Sequence, residues 1–172
     1  MPPYLAEQRD PSSSPEARAA EQLAALRTAE RRWAYALLRL ILGVNFLGHG
    51  LTRIYHGVPA FAAGVTTQMS SALLPAPMVH AFASAIPWIE FTLGLLLILA
   101  ILTRATLTAA MAFMILLMIG VTIRQDWTTA GLQLVYGFVI FTLLFLRIPY
   151  ETSWLRLLGL LDLPSASPGR QP

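Results

Sequence analysis

The chain has 172 residues, 56% of them hydrophobic and only 12% charged, with a mean hydropathy of +0.61, which excludes an ordinary soluble domain and points to one membrane domain. Its net charge of +3 comes from 12 arginines and no lysine, and in so apolar a chain it reads as a topology signal rather than a nucleic-acid footprint. Cysteine is absent, which excludes a disulfide relay, a thiolate zinc site, an iron–sulfur cluster and a thiol nucleophile built from this chain alone.

In chain order, residues 1–32 are expected to form a cytoplasmic tail. Its first 14 residues are rich in Pro and Ser and are expected to be disordered. Ser14-Pro15-Glu16 then predicts a helix start, with Ser as cap and Pro in the first turn. The Ala-rich stretch from Pro15 to Arg32 is expected to run into the first membrane helix. No signal peptide is expected, because the first apolar run begins only at Trp33, after a tail of balanced charge, and no small-residue cleavage site follows.

At about 20 residues per crossing, four apolar spans are predicted: Trp33–Leu51, Val79–Leu102, Ala105–Ile123 and Thr129–Ile148. Only Thr103-Arg104 separates the second from the third, and only residues 124–128 separate the third from the fourth, so these neighbours must be antiparallel hairpins. The predicted fold is all-α: a polytopic four-helix up-down bundle occupying residues 33–148. Nine arginines (Arg9, Arg18, Arg27, Arg31, Arg32, Arg104, Arg147, Arg156 and Arg170) then fall on the side of the termini and two (Arg53 and Arg124) opposite, so both termini are expected in the cytoplasm. Between the first two spans, Phe61, Val65, Met69 and Ala72 recur at helical spacing and predict an outer-face amphipathic helix beginning after Pro59, either a lid on the bundle or an interfacial tether. Residues 149–172 are expected to form a cytoplasmic amphipathic tail, with Trp154, Leu155, Leu158 and Leu161 as its anchor.

Glu90 is the most informative residue, since a carboxylate near the middle of a membrane span is costly to insert and marks a functional site. On the first helix, continued past Leu51, Arg39, Asn45, His49 and Arg53 fall within an arc of about 120°, with Gly43 and Gly50 beside Arg39. Pro87 removes a helical hydrogen bond one turn before Glu90. Depths counted at about 1.5 Å per residue bring Arg39 within reach of Glu90, and Asn45, His49, Gln133 and Tyr136 into one pocket open outward. An Arg39–Glu90 pair can carry chemistry, or it can only fix helix register. His49 can hold a ligand or bridge helices. His56 and His80 read as rim residues. Met111, Met114 and Met118 read as packing, and no metal, haem or iron–sulfur centre is expected.

The segments Leu37-Leu-Arg-Leu-Ile-Leu-Gly43, Phe46-Leu-Gly-His-Gly-Leu-Thr-Arg53, Ile89-Glu-Phe-Thr-Leu-Gly-Leu-Leu-Leu97 and Leu102-Thr-Arg104, in that order, resemble the DoxX/DoxD family of four-helix membrane proteins over residues 33 to 148. The matching positions are Arg39, Gly43, His49, Gly50, Arg53, Glu90, Gly94 and Arg104, with Arg53 standing where the family commonly has Lys. The resemblance implies quinone-dependent redox work in a bacterial or archaeal cytoplasmic membrane. The DoxD branch is a subunit of thiosulfate:quinone oxidoreductase, and DoxX proteins are associated with oxidative-stress complexes. In that reading Glu90, His49 and Arg39 are the candidate catalytic residues, and Asn45, Arg53, Gln133 and Tyr136 the candidate quinone- or substrate-binding residues. Quinone is the expected cofactor, and the lipid bilayer and a redox subunit are the expected partners. The alternative is a non-catalytic membrane subunit that anchors or assembles a redox partner.

Overall fold

The computed structural model describes residues 14–70, 72 and 74–151. It is all-α: α1 Pro15–His56, α2 Val58–Gln68, α3 Ala76–Leu99, α4 Thr103–Ile123 and α5 Trp127–Tyr150. Four of these helices, α1, α3, α4 and α5, are long and apolar enough to cross a bilayer, so the chain is a multi-pass membrane protein. The expected disorder before Ser14 and the expected amphipathic piece around Trp154 lie outside the described residues.

Helix α1 begins as the sequence predicts: Ser14 accepts a hydrogen bond from the Ala17 N–H at 3.1 Å, and Pro15 stands in the first turn. It then continues without a break for 42 residues, about 63 Å at the helical rise, far more than a membrane needs. Among the described residues none before Tyr35 is buried, whereas Tyr35, Ala36, Arg39, Leu42, Gly43, Phe46 and Gly50 are. The bundle therefore starts near Tyr35, and the first five turns of α1 form an arm outside it. The crossing also runs on past Leu51, where the apolar run in the sequence ends, to His56.

The remaining boundaries follow local chemistry. Helix α2 starts at Val58 with Pro59 in its first turn and stops at Gln68, so Ala72 is not part of it. The α3–α4 break falls at Ala100–Leu102 rather than at Thr103-Arg104. Ala100 (φ 57°) and Leu102 (φ 45°) both adopt the left-handed conformation. The Ile101 N–H closes the end of α3 on the Leu96 carbonyl at 3.0 Å, and Thr106 Oγ1 bonds the Ile101 carbonyl at 3.1 Å. Asp126 caps α5, accepting from the Thr129 N–H at 3.1 Å and the Thr129 hydroxyl at 2.7 Å; these bonds hold its carboxyl below the usual range.

Around the bundle the order is α1, α3, α4, α5, with α5 closing back on α1 and α2 lying against α3 and α1. The closest pair is α1 and α3. A Cβ on Gly50 would lie 2.6 Å from the Pro87 carbonyl oxygen and 2.5 Å from the Phe91 nitrogen, and a Cβ on Gly94 would meet the Gly43 carbonyl oxygen at 2.7 Å. These two helices touch backbone to backbone, the packing that small residues permit in a membrane. By contrast α3 and α4, though consecutive, touch least of the neighbouring spans. Leu42, Phe46, Leu93, Leu97, Leu107, Phe113, Ile140 and Leu143 fill the centre.

Gly94→Ala is expected to force α1 and α3 apart and lower stability by roughly 1–3 kcal/mol. Gly48→Ala, with nothing within 4 Å of the added carbon, should leave stability unchanged or slightly raised. Thermal unfolding of the two variants in detergent measures the difference.

Candidate functional site

The glycine contacts set the register of α1 against α3. Gly50 lies level with Pro87 and Phe91, and Gly43 level with Gly94 and Ile98. One turn beyond Gly50, Arg53 reaches back along α3, and its Nη1 engages both carboxylate oxygens of Glu90. Glu90 is 4% exposed, while the Arg53 side chain keeps 29% of its surface open. The Arg53 guanidinium also covers the ring of Phe61 on α2, 4.7 Å from its centroid. One arginine thus ties together α1, α2 and α3.

Arg39 is not the partner of Glu90. In the observed register it stands about 15 Å from Glu90 along the axis, by the helical rise. It is fully buried near the other end of the bundle, with its guanidinium 5.8 Å from the ring centroid of Tyr35. The apolar run that ends at Leu51 puts the centre of the first span too near its N-terminus. The helix continues to His56, and the glycines slide α1 so that Arg53 takes the place reckoned for Arg39.

Arg53 also borders a cavity of about 580 Å³ at its end of the bundle. Helix α2 covers it with Phe61 and Val65, and Met69 follows just past its end; α3 contributes Met78, Phe82 and Ile86, and α4 contributes Leu116, Leu117, Ile119 and Gly120. From α5 come Thr129 and Gln133, whose Oε1 is buried with no hydrogen-bond partner among the described residues. Arg124 stands at the rim, 3.5 Å from Asp126. Met78, Phe82, Leu116 and Ile119 are exposed on the outer faces of α3 and α4, so the cavity opens sideways through the seam between these helices.

Of the residues singled out in the sequence, the structure brings Arg53 and Gln133 to this cavity and Glu90 to its edge through Arg53. Asn45 is half-buried and His49 exposed on α1, and Tyr136 packs against the central apolar cluster; none of the three lines the cavity. The anticipated convergence of Asn45, His49, Gln133 and Tyr136 therefore does not occur. Thr129 and Gln68 are lining residues that the sequence did not mark out, whereas Arg124 was noted beside Arg53 on the side opposite the termini. Phe61 was visible as one member of a helical stripe, with nothing to pair it with Arg53.

The family model described as DoxX matches residues 34–125, more than half of the chain. The chain belongs to the DoxX family. The match takes in the membrane part of α1 together with α2, α3 and α4, hence Arg53, Phe61 and Glu90, and ends before α5, which supplies Gln133. The chain matches no curated protein and no solved structure. Within the DoxX segment the Arg53–Glu90 pair is the one ion pair among the described residues that joins two membrane-spanning helices.

Breaking that pair from one side should be costly. Arg53→Gln and Glu90→Gln are each expected to lower stability by about 2–3 kcal/mol, less than for a fully buried pair because Arg53 is partly open. The double variant should recover much of the loss. A double-mutant cycle followed by thermal unfolding tests this, and strictly additive losses would show that the two side chains do not act as a pair.

Proposed function

We propose that this DoxX protein is a quinone-linked redox protein or subunit and that the quinone headgroup occupies the cavity under α2. The observation that carries this reading is the cavity itself: largely apolar, open sideways toward lipid between α3 and α4, with Arg53 and Gln133 as polar points. A quinone suits that combination: its tail stays in the bilayer, its carbonyls accept from the Arg53 guanidinium and the Gln133 amide N–H, and Gln133 Oε1 accepts from a quinol hydroxyl. A volume of about 580 Å³ accommodates a ring headgroup and the start of a prenyl chain.

Reducing a quinone to a quinol takes two electrons and two protons. A guanidinium aimed at a quinone oxygen stabilises the negative charge that develops there as electrons arrive. As that charge grows, Arg53 shifts hydrogen bonding from Glu90 to the substrate, and the Glu90 carboxyl becomes a group that can take up and pass on a proton. The electrons come from a reduced donor or from a partner subunit. An anionic donor such as thiosulfate would meet Arg124 at the rim.

A second reading is a non-catalytic membrane subunit that anchors a redox partner. It is favoured by the arm of α1, which leaves the bundle as a helix with Leu23 and Leu26 exposed. The arginine asymmetry read from the sequence supports placing that arm and both termini in the cytoplasm.

Titration of a short-chain quinone analogue into the protein in nanodiscs separates the readings. Gly120→Leu, which fills the cavity from a position with open space around it, and Gln133→Leu are each expected to weaken binding roughly tenfold. His49→Ala should bind like the parent. No binding by the parent would leave the anchoring role as the better reading. Topology is tested separately: a reporter fused after Pro172 should be active only on the cytoplasmic side, and activity only on the opposite side would overturn the orientation.

A further inference from the structure

At the end of the bundle opposite the cavity, the α3–α4 turn meets the last turn of α5 and leaves a groove of about 800 Å³. Helix α4 starts here with Leu102 at its N-cap position and no side-chain cap. The first N–H groups of an α-helix lack intrahelical partners, and the aligned peptide dipoles add about half a positive charge at that end. Two guanidinium groups border the same groove: Arg104, exposed in the first turn of α4, and Arg147 of α5. Glu151, the carboxylate at the groove, bonds Arg147 at 2.7 Å, which leaves Arg104 as excess positive charge there.

An independent feature points the same way. Thr103 borders the groove, is only 3% exposed, and its Oγ1 has no hydrogen-bond partner among the described residues. A buried hydroxyl without a partner is uncommon in a folded protein and calls for an acceptor from outside the chain. Beyond this polar head the groove follows Ala105, Ala109 and Ala112, all exposed on the outer face of α4. From Thr103 to Ala112 it descends about 13 Å, close to the roughly 15 Å depth of one leaflet's hydrocarbon.

We propose that this groove is a binding site for an anionic phospholipid. The phosphate sits at the start of α4, between Arg104 and the Thr103 hydroxyl, and one acyl chain lies along the alanines. Free phosphate would use the polar head but has no need of the channel. The helix of a second copy would fit the small residues but would leave the Thr103 hydroxyl, the helix start and Arg104 unmatched.

The test is native mass spectrometry of the full chain released from detergent, titrated with phosphatidylglycerol, phosphatidylcholine or inorganic phosphate, with melting temperatures recorded in parallel. The parent is expected to retain one phosphatidylglycerol in preference to phosphatidylcholine. Arg104→Gln and Thr103→Val should each weaken that retention about tenfold, the scale of one hydrogen bond to a charged group. Thr103→Val in phosphatidylcholine should melt no lower than the parent, because it removes a buried hydroxyl that has no partner there. Equal retention of phosphatidylglycerol by parent and both variants would overturn the proposal. So would stabilisation by inorganic phosphate matching that by phosphatidylglycerol, or a lipid-free dimer that Ala109→Leu dissociates.

Discussion

The separation of α1 and α3 governs the rest of this bundle. Lipid supplies no hydrophobic force to press one membrane helix on another, so dispersion between closely fitted surfaces must do it. Gly43 and Gly50, two turns apart, present a bare strip of backbone, and Gly94 enters between them from α3. Glycine inside a helix sacrifices about 1 kcal/mol relative to alanine. Three such residues on one contact are tolerable only because backbone meets backbone there. Pro87 belongs to the same contact: its carbonyl lies against Gly50, at the place where its ring deprives Ala83 of a helical hydrogen bond.

This contact fixes where charge can be buried. With α1 held at backbone distance, the arginine one turn past Gly50 has a short path to Glu90, and the pair forms at a carboxylate only 4% exposed, which would otherwise be a buried charge without a partner. The remaining face of that guanidinium is covered by Phe61, which gives α2 a point of attachment to the bundle besides its apolar stripe. The open seam follows from the same geometry. Helix α3 turns its smallest residues toward α1, while Met78, Phe82 and Ile86 on another side of it line the cavity at its sparse contact with α4. Tight packing on one side of α3 and a cavity on the other are two results of one distribution of side-chain size.

Hydropathy and spacing were enough to read the class of the fold, the number of crossings, the Ser14 cap and an extra helix before α3. They also singled out Glu90, because a carboxylate in an apolar run is conspicuous whatever surrounds it. Its partner was not legible in the same way. Choosing among Arg39 and Arg53 requires the axial register of two helices to within a turn, and a hydropathy profile locates a helix end only to several residues: Leu51 and His56 differ by more than one turn. The glycines held the missing information, since Gly43, Gly50 and Gly94 interlock in one register only. The α3–α4 turn was hidden for another reason. Ala100 and Leu102 adopt a left-handed backbone with no glycine or asparagine to announce it. Nothing in the sequence placed Thr129 and Arg124 at a cavity, because they reach it from a hairpin whose tilt depends on the packing of all four spans.

The unbroken length of α1 makes it a lever. The segment outside the bundle and the segment that carries Gly50 and Arg53 are one rod, with no proline, glycine pair or turn between Pro15 and Tyr35 to absorb bending. Ser14 lies about 54 Å from Gly50 by the helical rise. If α1 turned as one body by about 5° around the glycine contact, its tip would sweep roughly 5 Å, its packed segment at Tyr35 would move about 2 Å, and Arg53, only a turn from the fulcrum, less than 1 Å. Travel at the tip is thus geared down about tenfold on its way to the ion pair, and force is geared up by the same ratio.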